Sequence, residues 1–278
     1  MRPMLSASLY KLLTIGAILT AVPVLAVCGD KGTPPVEALS PEDSTQGTPT
    51  QGPPTQGPPS AGAHEPSGMT LITERTFSAK GEEGWYDENN ARYTIIQDSS
   101  APKSPSAVGQ MRYPAGFGAG ASPAVAEEHM GSRYNTIYVN YWIKLSSNWV
   151  GHESTANKTL CLWSNDQPGT VTETFGSGRG RLVPGVAVQG GENVALKPNL
   201  VDVEFTRGVW HQFELIATLS TGTLDWWFDG VQVAHYTGRR IGGNTWGILQ
   251  WCPVWGGTGG SVPAEQFMWM DHLRVSGK

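Results

Sequence analysis

Thr136-Ile-Tyr-Val-Asn-Tyr-Trp-Ile-Lys-Leu145 sets Ile137, Val139, Tyr141, Ile143 and Leu145 in alternation with Tyr138, Asn140, Trp142 and Lys144. A period of two marks a strand, because successive side chains point to opposite faces. The first set makes a core face, and the second makes an outward face of aromatic, amide and ammonium groups. Working outward, Asn157 to Ser164 sets Leu160 and Leu162 against Thr159, Cys161 and Trp163. Trp210 to Ser220 turns Phe213, Leu215, Ala217 and Leu219 inward and leaves Gln212, Glu214 and Thr218 outside. A Thr221-Gly222 turn leads to a strand at Leu224 to Phe228. Asp229-Gly230 then makes a tight hairpin turn into Val231 to Tyr236, since glycine readily takes the positive φ that such turns need. Further strands are predicted at Gly247 to Val254 and Gln266 to Val275, and only Ala124 to Met130 reads as a short helical turn. Many short strands separated by Gly, Pro, Asn and Asp argue for two stacked antiparallel sheets rather than βαβ units.

The apolar material lies late in the 278 residues. All eleven tryptophans fall at or after Trp85, whereas Cys28 to Gly68 contains no Phe, Trp or Tyr. One domain is therefore expected over residues 69–278, a size that all-β sandwiches use as a single unit. Residues 28–68 read as a disordered linker rich in Pro, Thr, Gln and Gly. Within it stand three tandem pentapeptides, Thr45 to Pro49, Thr50 to Pro54 and Thr55 to Pro59. Some forty such residues could hold a domain up to roughly 120 Å from an anchor. The net charge of −5, with no Lys/Arg run, lacks the long-range attraction that drives nucleic-acid binding, so no nucleic-acid partner is expected.

Residues 1–27 read as a signal segment, with Arg2 and Lys11 before an apolar run from Leu12 to Val27. The run is short for a membrane span. Leu25-Ala-Val-Cys-Gly-Asp30 resembles a bacterial lipoprotein lipobox, which would make Cys28 the lipid-bearing mature N-terminus, although Val27 departs from the usual small residue. Lipidation, simple cleavage and a retained signal anchor all place the domain outside the cytoplasm of a bacterium. A membrane is then a partner only through the lipid anchor.

Four segments carry a resemblance to a known family: Val139 to Trp149, Trp210-His-Gln-Phe-Glu214, Trp226-Trp-Phe-Asp-Gly-Val-Gln-Val233 and Trp269-Met-Asp-His-Leu-Arg-Val-Ser276. In order and spacing they resemble the concanavalin A-like lectin and glucanase superfamily, nearest to the heparin-lyase-like polysaccharide lyase jelly rolls. The resemblance implies an all-β, two-sheet antiparallel jelly-roll sandwich with one sheet curved to cradle a glycan. It implies fold more firmly than activity, since this fold hosts lectins, hydrolases and lyases.

Several chemistries lack their motif. Glu-x-Asp-x-x-Glu, which seats the two carboxylates of glycoside hydrolysis, does not occur. Arg-x-Glu, Gln-Ile-His and Tyr-x-Lys of the alginate-lyase jelly rolls are missing, as is a Gly-x-Ser-x-Gly elbow. His152-Glu153 opens like a zinc helix, but Ala156 stands where the second histidine belongs, so zinc is not expected; a structural calcium is possible but not indicated, and no cofactor is expected.

What remains is an outward face with the chemistry of sugar binding, in which indoles stack on C–H faces and amides pair with hydroxyls. Its candidates are Tyr138, Asn140, Trp142, Trp163, Gln250 and Trp255, with Trp142 and Trp163 expected on one sheet. The leading reading is a polysaccharide-binding protein, and the second is a lyase cleaving uronic-acid polymers by β-elimination. A third is a non-catalytic structural or adhesive surface domain. A lyase needs a carboxylate neutraliser and a base. Asn140, Lys144, Lys158, Arg181 and Gln250 are candidates for the first role, and Tyr138, His152 and His272 for the second. Cys161 and Cys252 form either a disulfide or two buried thiols.

Overall fold

A computed structural model describes residues 63–78, 91–103, 105–165, 169–190 and 192–278. The expected signal segment, Cys28 and nearly all of the linker lie outside the described residues. Among those described there is no helix, and the chain is an antiparallel jelly-roll sandwich of two sheets.

The strand expected over Thr136 to Leu145 is β5 (Thr136–Leu145), and it lies inside the larger sheet. On one side of it run β10 (His211–Thr218), β11 (Thr223–Phe228) and β12 (Val231–Tyr236). On the other side lies β14 (Gln266–Gly277), followed by β3 (Ala107–Tyr113) and β2 (Tyr93–Gln97), with β1 (Thr70–Arg75) also paired to β14. The second sheet runs β4 (Ala126–Tyr134), β13 (Trp246–Trp251), β6 (Ala156–Ser164), β7 (Thr170–Phe175), β8 (Val183–Val188) and β9 (Val194–Leu196). Asp229 and Gly230 both have positive φ, 51° and 77°, as the turn joining β11 to β12 requires.

Between the sheets the alternation works as expected. Ile137, Val139, Tyr141, Ile143 and Leu145 meet Leu160, Leu162, Trp246, Leu249 and Trp251 in one buried cluster. Three threonines of β7, Thr170, Thr172 and Thr174, are also buried. Thr172 is satisfied by Tyr141, whose hydroxyl donates to its Oγ1 at 2.9 Å. Burial pushes the Tyr141 phenol up to about 12, against weaker hydrogen-bond effects of Thr159 and Thr172.

Two expectations change here. Ala124 to Met130 is not helical: Ala126 onward is edge strand β4, because its backbone groups pair with β13 and that pairing outweighs local preference. Thr159 faces the core, not outward, because the β6–β7 register shifts between Lys158 and Leu160.

Candidate functional site

The sandwich has two outer faces, and the residues read from sequence as one groove are divided between them. Tyr138, Asn140 and Trp142 belong to β5 in the eight-stranded sheet, whereas Trp163 belongs to β6 and Gln250 to β13 in the six-stranded sheet. The expectation that Trp142 and Trp163 share a sheet is thus corrected. Periodicity assigns a face within one strand, but strand-to-sheet assignment comes only from long-range pairing.

On the eight-stranded sheet the outer face is polar yet covered. Tyr138, Asn140, Gln212, Glu214 and Asp271 are all buried. Residues 63–67 lie over one part, where His64 contacts Glu214 and Glu65 contacts Arg274. Over another part lies the loop 98–103: the Lys103 N–H donates to Asp271 Oδ2 at 3.0 Å. The Lys144 ammonium bonds Asp98 and Ser100 and sits 4.7 Å and 4.9 Å from the ring centres of Trp210 and Trp269. Burial opposes the charge on Asp98, but Lys144 and Ser100 outweigh it and hold the carboxyl below its usual range.

Trp142 is only 7% exposed, and its Nε1 has no hydrogen-bond partner. It is a covered side chain, not an open platform. Tyr138 donates to Glu214 Oε2 at 2.5 Å, and burial together with that carboxylate raises its pKa well above the usual phenol value. A phenol held so firmly in its protonated form is unsuited to serve as a base.

The six-stranded sheet has a different outer face. In register, Gln250 of β13 lies between Glu127 of β4 and Cys161 of β6, while Ile248 lies between His129 and Trp163. A ladder of side chains crosses the three strands. Trp163 Nε1 donates to Gln250 Oε1 at 2.5 Å, and Gln250 Nε2 donates to Glu127 Oε2 at 2.6 Å. His129 Nε2 stands 3.2 Å from Glu127 Oε1. Trp163 is half-buried, while His129 is 69% exposed. Beneath Trp163, Cys161 and Cys252 are joined as a disulfide, with Cα atoms 6.6 Å apart. Both cysteines are on the outer face, yet they are buried because Trp163 and Val125 pack over them.

The loops at one end of the sandwich enclose a third feature, a cleft of about 310 Å³ lined by His152, Glu153, Ser177, Trp255 and Ser261 among others. Trp255 is expected on the sugar-binding face but does not lie there. Trp255 is 4% exposed and donates Nε1 to Val150 O at 2.8 Å, because its Gly-rich loop folds back into the core. His152, a candidate base from the sequence, is buried with both ring nitrogens committed. The Ser154 N–H donates to Nδ1 at 3.0 Å, which leaves Nε2–H to donate to Gly259 O at 2.8 Å. That imidazole has no free position from which to take a proton.

The remaining lyase candidates do not converge. Arg181 is exposed and paired with Asp202, and Lys158 lies on β6 with its N–H donating to Val254 O. His272 sits at the irregularity in β14 with a φ of 49°. Among the described residues, no three of His, Cys, Asp and Glu come together as metal ligands. Glu127 and His129 were missed because their stretch read as a helical turn. The usable signal was the alternation of Ala126, Glu128 and Met130 with Glu127 and His129.

No protein-family model matches the chain, and no curated protein matches it by sequence. Solved structures do resemble it. The endo-β-1,4-glucuronan lyase of the fungus Trichoderma reesei superposes with a TM-score of 0.54 at 16% identity, covering 75% of this chain and 96% of its own. An alginate lyase gives 0.51 at 12% identity, covering 74% and 96%. The cellulose-induced protein Cip1 gives 0.50 at 14% identity, covering 73% and 96%. At such identities the likeness is one of fold, and it extends over nearly the whole of each relative.

Proposed function

We propose that this chain is an extracytoplasmic polysaccharide-binding protein of the concanavalin A-like kind, whose platform is the outer face of the six-stranded sheet. The observation that carries the reading is the ladder from Trp163 through Gln250 and Glu127 to His129. Hydrogen bonding fixes the indole, the amide and the carboxylate in one plane of the sheet before any ligand arrives. Pre-ordered side chains lose little entropy on binding. An indole offers a stacking face, and the amide and carboxylate offer partners to hydroxyls. The three relatives are two polysaccharide lyases and a cellulose-induced protein, which supports a carbohydrate as the ligand class.

β-Elimination on a uronic-acid polymer is the second reading. An exposed imidazole oriented by a carboxylate is the arrangement of a general base, and His129 with Glu127 has it. Against it, no Lys, Arg or Tyr takes part in the ladder to neutralise the substrate carboxylate.

The test is a titration of wild type and Trp163→Ala with soluble oligosaccharides of uronic-acid and neutral β-linked polymers. Absorbance is followed in parallel for an unsaturated uronate. Binding that weakens severalfold in the variant, without absorbance change, supports the platform. Product absorbance that disappears in His129→Ala supports the lyase instead. Wild-type binding unaffected by Trp163→Ala would remove the platform.

A further inference from the structure

Four side chains form one row across the outer face of the eight-stranded sheet. Trp227 of β11, Glu214 of β10, Asn140 of β5 and Arg274 of β14 are register partners in that order. Three inter-strand spacings make the row roughly 14 Å long. Its ends differ in chemistry. One has an indole beside a buried carboxylate, steadied by the Tyr138 hydroxyl, and the other has a guanidinium.

The dipeptide His64-Glu65 lies along this row. Its imidazole stacks on Trp227 with ring centres 4.6 Å apart and planes 10° from parallel. His64 Nδ1 is 2.9 Å from Glu214 Oε1, and its backbone N–H donates to Glu214 Oε2 at 3.2 Å. One residue on, the Glu65 carboxylate takes Arg274 in a fork, with Nε donating to Oε2 at 2.8 Å and Nη2 to Oε1 at 3.2 Å.

A segment that covers this polar face has to supply partners to the groups it buries. This one supplies them with a flat ring carrying polar donors and, a short distance away, a carboxylate. An acidic saccharide carries the same pair of features: a C–H face for the indole, hydroxyl donors for Glu214, and a carboxylate for the guanidinium fork. We infer that the row is a second binding site, for a short uronic-acid oligosaccharide, and that the chain's own His64-Glu65 occupies it as an internal competitor. The site is on the opposite face from the Trp163 platform and does not depend on it. An occupant tethered in the same chain acts at an effective concentration that reaches the millimolar range. External ligand therefore binds here only as residues 63–67 are displaced. Glu74, whose carboxylate accepts from Arg274 Nη1 at 3.3 Å, stays to orient the guanidinium when Glu65 leaves.

The test uses the full chain with glucuronate trisaccharide as the probe, followed by calorimetry. His64→Gly with Glu65→Gly is expected to gain a binding event at least tenfold tighter than any that wild type shows on this face. Adding Trp227→Ala or Arg274→Gln should abolish the gain, and adding Trp163→Ala should leave it intact, which separates this site from the platform. A neutral cello-trisaccharide should bind the same variant at least tenfold more weakly. No gain, a gain that survives Arg274→Gln, or equal binding of the neutral sugar would each overturn the inference. Wild type supplies a measurement that needs no variant to fold. Millimolar glucuronate trisaccharide should speed deuterium exchange of the His64 backbone N–H, which Glu214 holds in the free protein, severalfold, and an unchanged rate would also overturn it.

Discussion

Replacing Trp142 by alanine separates a covered face from an open one. The side chain is 7% exposed, so truncation returns nearly all of its burial. Roughly 180 Å² of lost apolar burial at about 25 cal/mol per Å² amounts to about 4.5 kcal/mol. Part of this is offset, because Trp142 Nε1 is buried without a partner. Removing such a group recovers about 1–2 kcal/mol. The expected net loss is about 3 kcal/mol, or a fall of about 6–12 °C in melting temperature for a domain of this size. Trp142→Phe keeps most of the area and also removes the unpaired N–H, so it should cost about 1 kcal/mol or less. Trp163→Ala should behave oppositely, losing about 1 kcal/mol of glycan binding, severalfold in affinity, with a smaller change in melting temperature. Thermal melts followed by near-ultraviolet circular dichroism, together with glycan titration of all three variants, decide the matter. A Trp142→Ala protein that melts with wild type but no longer binds glycan would refute the reasoning and move the platform to the eight-stranded sheet.

The bridge from Cys161 to Cys252 spans 91 residues of sequence, for which loop entropy sets an upper bound near 4.5 kcal/mol. Changing both cysteines to alanine should cost about 2–4 kcal/mol in denaturant melts, and alkylation of wild type without reductant should label neither. Burial disfavours the charge of Glu65, but the hydrogen bonds and charge of the Arg274 guanidinium prevail and lower its pKa. A lowered folded pKa stabilises the fold above the unfolded value of about 4.3, and that contribution is lost as pH falls through the folded value. Melts between pH 7 and pH 3 should therefore show a fall that is smaller in Glu65→Gln. At Gly109 a Cβ would stand 2.8 Å from Trp251 and 2.9 Å from Phe77. Gly109→Ala should consequently lose about 1–3 kcal/mol by overpacking, read from the same denaturant melts.

Residues 136–145 and 231–236, read from alternation and the Asp229-Gly230 turn, match β5 and β12 to the residue. The strands at β6, β10, β11, β13 and β14 agree to within a few residues at their ends. The others were not legible. β7 places threonines inward, where Thr159 and Tyr141 satisfy Thr172, so its core face does not look apolar. β1 to β3 carry too little alternation to stand out from the loops around them. The site was legible only in part. Trp163 and Gln250 were named, but their partners Glu127 and His129 were not, because nothing local shows that β4 pairs with β13.

The sequence alone determined the strand period, the class of fold and the absence of hydrolase and zinc motifs, since each depends on neighbours a few residues apart. The tertiary structure decided which outward residues share a surface, and which of those surfaces is open. Trp142 and Trp163 both alternate with apolar neighbours, yet the first is covered while the second is half-buried on the opposite sheet. Alternation reports which side of its own strand a residue occupies. What lies over that side depends on contacts between residues as distant as His64 and Glu214, 150 positions apart, and no local pattern encodes them.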